Sequence, residues 1–184
     1  MRQLELFFFI LLINIVFSLP IFANEEIWLL IDTTKLNLEI KKGDKTLVVM
    51  KNIAIGRNGA GIKLREGDDV TPIGTYKITW VNEESIYRRF YGLDYPLISH
   101  ADIALQKGLL KNEQYLKIVD AHRKDQLPLQ NTMMGGNIGI HGLGAADEAI
   151  HKLLNWTHGC IALTNEQIDN LAPWISKGIR VEIK

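Results

Sequence analysis

Between Ile27 and Ile55 apolar and polar residues alternate in short runs: I-W-L-L-I-D, K-L-N-L-E-I-K and T-L-V-V-M-K-N-I-A-I. A period of two sends successive side chains to opposite faces of a strand, and a helix cannot collect such a pattern on one side. Lys42-Gly43-Asp44-Lys45 separates the second run from the third with turn residues, so a β-hairpin is expected there, with Leu36, Leu38 and Ile40 on its inward face. A Gly- and charge-rich loop over residues 56–69 leads to a further strand in V-T-P-I-G-T-Y-K-I-T-W-V. Gly136 to Ile140 reads as a short strand that delivers His141, Cys160 to Leu163 as another, and R-V-E-I-K as the last. Helices are expected over residues 101–106, over 113–124 with Asn112 as N-cap, and over 146–154. Thr164-Asn165-Glu166-Gln167 is a capping box, and the helix it opens carries Ile168, Leu171 and Ile175 on one face and stops at Gly178. The expected fold is mainly β with inserted helices, in one domain without repeats or a linker.

The first residues follow a different rule. Arg2 and the amino terminus are positive, residues 6–17 are apolar except Asn14, Pro20 breaks the run, and Ala23 is small. This order predicts a secretory signal peptide over residues 1–23, because Pro20 intervenes before the roughly 18 apolar residues that a membrane span needs. No cysteine lies near the cut, which excludes a lipid-modified N-terminal cysteine. The expected mature domain is 24–184, exported to the periplasm or cell envelope and long enough for a real core. The chain holds 21 basic and 21 acidic residues. That balance offers no basic field, so no nucleic-acid partner is expected.

Cys160 is the one cysteine among 184 residues. Exported proteins usually carry cysteines in pairs, so a lone one is read as reactive, intermolecular or simply buried. A thiol becomes a good nucleophile as thiolate and needs a base or positive neighbour. His141 ends one short strand and Cys160 begins another, each beside a glycine. Adjacent strands would bring the imidazole within roughly 3–4 Å of the sulfur, allowing for a loose unliganded geometry. Gly159 lets a substrate carbonyl approach, Gly142 does the same beside the base, and the Cys160 amide is a candidate oxyanion donor. A zinc site from His141, His151, His158 and Cys160 has suitable ligand types, but the His141–His151 interval crosses an expected helix, so no metal is assigned. His151 is read as a helix-surface residue, His100 and His122 as satisfied or exposed, and Trp156 as a core or pocket-wall aromatic.

His141-Gly142 followed by Thr157-His158-Gly159-Cys160-Ile161 resembles the signature of the L,D-transpeptidase catalytic domain, the YkuD fold of bacterial cell-wall enzymes. Upstream, Gly56, Gly61, Lys63, Gly67-Asp68 and Thr71-Pro72-Ile73-Gly74 follow the G…G-x-K…G-D…T-P-x-G run of these domains. The resemblance covers residues 28–184 and implies a β-sandwich or barrel-like catalytic domain. It further implies Cys160 as nucleophile toward an L-centre carbonyl of a peptidoglycan stem peptide, His141 as general base, and His158, Gly159, Gly142 and Thr157 as builders of the substrate and oxyanion region. The thioester would pass to an amine of another stem peptide or of a wall-anchored protein, or to water. No cofactor is implied.

One departure stands out. Many members carry Arg two residues after the cysteine, a natural bidentate partner for a carboxylate; here Ala162 holds that place. The W-T-x-G-C-I-A-L form resembles a branch in which transfer and hydrolysis both occur. Arg57, Lys63 or Arg65 in the Gly-rich loop are the alternative substrate-binding candidates. Two other functions compete with the transpeptidase: a cysteine hydrolase that cuts stem peptides or frees a bound lipoprotein, and a non-catalytic cell-wall binding module. A binding module has no use for a base beside a thiol, which weighs against it.

Overall fold

The computed structural model describes residues 25–184, so the expected signal peptide lies outside the described residues. Ten strands, four α-helices and one short 3-10 turn follow one another. The first three strands are β1 (Ile27–Asp32), β2 (Asn37–Lys42) and β3 (Lys45–Lys51). Next come β4 (Ala60–Gly61), β5 (Thr71–Pro72), β6 (Gly74–Ser85) and β7 (Arg88–Leu93), then α1 (Ile98–Gln106) and α2 (Asn112–Arg123). β8 (Gly139–His141), α3 (Glu148–Leu153), β9 (Ile161–Ala162), α4 (Asn165–Leu171) and β10 (Arg180–Ile183) complete the chain.

Eight strands form one mixed sheet in the order β3-β2-β1-β10-β6-β7-β8-β9. β1 with β10 and β8 with β9 are parallel pairs, and the other neighbours are antiparallel. The two ends of this sheet meet. Three residues beyond β3, Ala54 donates to the Ala162 carbonyl (3.0 Å) and accepts from the Ala162 amide (2.8 Å). The sheet thereby curls toward closure, which removes unpaired backbone from its edge. Leu29, Ile31, Leu38, Ile40, Ile78, Ile140 and Ile161 fill the interior, each fully buried. A smaller apolar cluster of Ala101, Ala104, Leu110, Ile118 and Met134 holds α1 and α2 together.

The alternation of the N-terminal third produced the β2–β3 hairpin as expected, but Leu36 belongs to the turn before β2, at φ 49°. α2 starts at Asn112 itself, one residue early, and Gln114 Oε1 accepts from the Lys111 amide (3.1 Å). The Thr164–Gln167 capping box is present. α4 stops at Leu171 and continues only as a 3-10 turn over Ala172–Trp174. Pro173 has no amide hydrogen to carry the helical ladder on, so Ile175 packs against the core from outside the helix.

Ala162 is fully buried where the sheet closes. An arginine there would place its charge at a fully buried position. Ala162→Arg is expected to destabilise the fold by about 3 kcal/mol or more, as burying an unpaired charge does. Urea unfolding monitored by tryptophan fluorescence would measure it, and a loss under about 1 kcal/mol would show that position 162 tolerates a group turned outward.

Candidate active site

Three neighbouring backbones build the site: the loop after β3, the end of β8, and the turn before β9. In the parallel β8–β9 pair Ile140 lies opposite Ile161 and His141 opposite Ala162. Paired residues share a face, and alternate residues change face. Ile140 and Ile161 therefore enter the core, while His141 and Ala162 point the other way. Cys160 lies immediately before this ladder, in the turn that leads into β9.

The turn that presents Cys160 is closed by one hydroxyl. Thr157 Oγ1 accepts from the Gly159 amide (3.1 Å) and donates to the Cys160 carbonyl (2.7 Å). Thr157 is buried, and its own backbone is stitched to the loop after β3 through Thr157 N to Ile55 O (3.2 Å) and Arg57 N to Thr157 O (3.0 Å). Gly159 has φ +128°, and a Cβ there would sit 2.7 Å from the Val70 carbonyl. Only glycine fits that combination of torsion and contact. The Gly159 amide is thus committed, whereas among the described residues the Cys160 amide has no acceptor. A free N–H beside the sulfur is what an oxyanion site requires.

Cys160 is half-buried and lines a cavity of about 410 Å³ with Lys63, Glu66, Gln130, Asn137 and His158. That volume suits a peptide-sized ligand. The thiol donates to the Asn137 carbonyl at 3.4 Å. Burial pushes the thiol up to about 11, against which the facing Gly139 backbone and the Lys63 charge favour the ionised form. In this resting arrangement the sulfur is protonated at neutral pH.

His141 lies 3 % exposed between aromatic rings: Phe90 stacks at 5.8 Å between centroids, Tyr87 tilts against it at 4.5 Å and Trp156 meets it edge-on at 6.0 Å. Burial holds the imidazole below its usual value of 6.5, and the nearby His151 adds to this. Its Nδ1 is 2.7 Å from the Gly142 carbonyl. A carbonyl can only accept, so Nδ1 carries the proton and Nε2 keeps the free lone pair. The Gly142 side is equally tight, since a Cβ there would meet the Tyr87 carbonyl at 2.7 Å and Ile168 Cγ2 at 2.8 Å. Asn165, the first residue of α4, clamps the loop that follows by bonding both the amide and the carbonyl of Gly144 (2.9 and 2.8 Å). The thiol's hydrogen bond is to Asn137 and that of the imidazole is to Gly142; among the described residues the two expected partners are not bonded to each other, and His141 does not line the cavity that holds Cys160, so the 3–4 Å approach expected from sequence is not made in the resting state.

The remaining expected residues fall into place differently. His158 is exposed and its Nδ1 lies 2.6 Å from Asp69 Oδ1. Arg57, also exposed, reaches Asp69 Oδ2 at 3.3 Å. Arg65 is exposed on the same loop. Lys63 is buried at 2 % exposure, and its ammonium meets Asp68 Oδ1 (2.5 Å), the Arg65 carbonyl (3.2 Å) and the His158 carbonyl (3.3 Å). An ammonium has three donors, and all three are used within the protein. His151 is a correction to the surface residue expected from sequence: it is 3 % exposed and accepts from the Trp156 indole at 3.3 Å. Its Nε2 has no well-formed partner, and burial holds the ring below its usual value against the opposing pull of the Asn52 backbone. α3 leaves Ile150 and Leu153 exposed beside the paired Glu148 and Lys152, and turns His151 inward, where Trp156 supplies a hydrogen bond. His100 is buried against Tyr76 and Tyr95, and His122 bonds the Pro96 carbonyl (2.8 Å).

Asp68, Asp69, Asn137 and Tyr87 are site residues that sequence reasoning did not single out. Asp68 was visible in the G-D pair beside Lys63, but neither its pairing nor its four hydrogen bonds are written in the spacing.

The same chain was compared with known proteins. The family model described as the L,D-transpeptidase catalytic domain matches residues 26–183. No curated protein matches the sequence. Among solved structures, the helical cell shape determining protein Pgp2 from Campylobacter jejuni is 22% identical with a TM-score of 0.59, covering 88% of this chain and 48% of that one. Bd1075 from Bdellovibrio bacteriovorus is 17% identical at a TM-score of 0.54, covering 88% and 49%. An L,D-transpeptidase from Enterococcus faecium is 13% identical at 0.51, covering 87% and 50%. At such identities these structures share the fold, and the chain spans about half the length of each. The strand order, the closed sheet and the match over nearly all described residues agree: the chain belongs to the L,D-transpeptidase catalytic domain family.

Proposed function

We propose that the protein is an exported cysteine L,D-transpeptidase that acts on peptidoglycan stem peptides, with residues 1–23 as its signal peptide and 24–184 as its catalytic domain. The single observation that supports the reading is the tautomer of His141, which leaves a basic Nε2 at the end of β8, the strand paired with the one that begins directly after the protonated Cys160. In the first half-reaction Nε2 takes the thiol proton and the sulfur attacks the carbonyl carbon of the L-centre residue. The carbonyl oxygen becomes an oxyanion, for which the free Cys160 amide is the donor. Collapse breaks the peptide bond, the D-residue's nitrogen leaves with the proton held on His141, and a thioester to Cys160 remains. An amine of a second stem peptide then attacks the thioester, gives its proton to His141 and restores the thiol. Water entering in place of the amine would make the same site a hydrolase. Because the Lys63 ammonium is saturated, a substrate carboxylate at this loop falls to the exposed Arg57 or Arg65. The cell-shape role named for Pgp2 fits an enzyme that remodels stem-peptide crosslinks.

Intact-mass spectrometry after incubation with purified stem peptides tests the assignment. Wild type is expected to gain a thioester adduct lacking the terminal D-residue, and Cys160→Ala to gain nothing; an equal adduct on Cys160→Ala would move the nucleophile elsewhere. Adding an amine acceptor is expected to yield the crosslinked product.

The pH dependence follows from the sign of the His141 shift. Its value is depressed, so the neutral, basic form persists below pH 6.5, and turnover is lost only as pH falls through that lower value. An acidic limb with a midpoint above 6.5 in the kcat/KM profile would contradict a buried neutral base.

A further inference from the structure

Lys63 remains unexplained by the reaction. A lysine is rarely fully buried unless paired, and a loop could stay closed without one. Its aliphatic stem runs beneath the nucleophile turn, where a Cβ on Gly159 would lie 3.6 Å from Lys63 Cε. Its ammonium bonds the His158 carbonyl, two residues before the sulfur. The counter-charge is turned away: Asp68 spends its oxygens on the amides of Leu64 (3.0 Å), Arg65 (3.0 Å) and Val70 (3.2 Å) as well as on Lys63. Those amides disperse the negative charge and hold it below the usual carboxylate range together with Lys63. Lys63 lines the cavity that holds Cys160 and Asp68 does not, so the positive member of the pair is the one beside the sulfur.

We propose that Lys63 is a positioning residue for Cys160, pinning the Thr157–Cys160 turn through the His158 carbonyl and presenting a fixed positive charge to the thiolate that forms there. This rests on Cys160 being the nucleophile. Other charged groups around the sulfur are less able to do it. His158 is exposed and paired with Asp69, Glu66 has the wrong sign and is open to solvent, and His141 is held neutral by burial. An exposed charge is screened by salt, while a buried one is not.

The test reads thiol chemistry and needs no peptidoglycan, so it stands apart from the transpeptidase activity itself. Alkylation of Cys160 by iodoacetamide would be followed by mass across pH 7–11 for wild type, Lys63→Met, Lys63→Arg and the double variant Lys63→Met/Asp68→Asn. Lys63→Met is expected to slow alkylation at pH 9 by about tenfold or more and to move the profile to higher pH, as loss of a nearby opposite charge does. Lys63→Arg keeps the charge and is expected to stay within about threefold of wild type. The double variant avoids an orphaned buried carboxylate and is expected to show the same upward displacement, which preserves the test should Lys63→Met alone fail to fold. A neutral variant that folds, by its melting transition, yet keeps the wild-type profile would overturn the proposal. So would an Arg variant that is folded but displaced as far as the Met one.

Discussion

The pairing of β8 with β9 is two residues long, and the whole site depends on it. It sets His141 opposite Ala162, two residues after Cys160. So short a ladder cannot hold register alone, and two outside contacts fix it. Ala54 binds Ala162 from the other end of the sheet, and Thr157 binds Ile55 and Arg57 in the same strip of chain. Closing the sheet and shaping the nucleophile turn are one event. Position 162 is a buried alanine that serves this closure.

The electrostatics of the site favour a neutral resting state. Burial raises the thiol and lowers the imidazole, so both groups resist charge. A preformed thiolate–imidazolium pair would need the opposite shifts. In the proposed mechanism, proton transfer then belongs to the moment of attack, when a substrate supplies the geometry and the Cys160 amide meets the new oxyanion. The Asn137 carbonyl parks the thiol until then. Around His141 the rings of Tyr87, Phe90 and Trp156 exclude water, and the Gly142 carbonyl determines which nitrogen is basic.

Much of this was legible in the sequence. The period-two runs foretold the hairpin, the capping box foretold α4, and the ordered motifs named His141, Thr157, Gly159 and Cys160 as the candidate site. Other features had no local signature. Helical periodicity gave His151 to solvent, because its inward turn depends on an indole five residues on, and spacing does not record which way a short helix rolls. A basic residue in a Gly-rich loop reads as solvated, yet Lys63 is buried because Asp68 and the Arg65 carbonyl of its own loop meet it together with the His158 carbonyl, which only the fold brings alongside. The break of α4 at Pro173 was readable and was outweighed by the apolar spacing of Ile168, Leu171 and Ile175.

The account stands on proton transfer from Cys160 to His141 during attack. The most direct measurement is the rate of thioester formation with a stem peptide for His141→Asn against wild type, by quenched-flow intact mass, at pH 7 and again near pH 10. A general base contributes about 100- to 10,000-fold, so the variant should lose that much at pH 7 and recover part of it at pH 10, where hydroxide ionises the thiol unaided. Equal rates for the two proteins at pH 7, with the variant folded, would contradict the account.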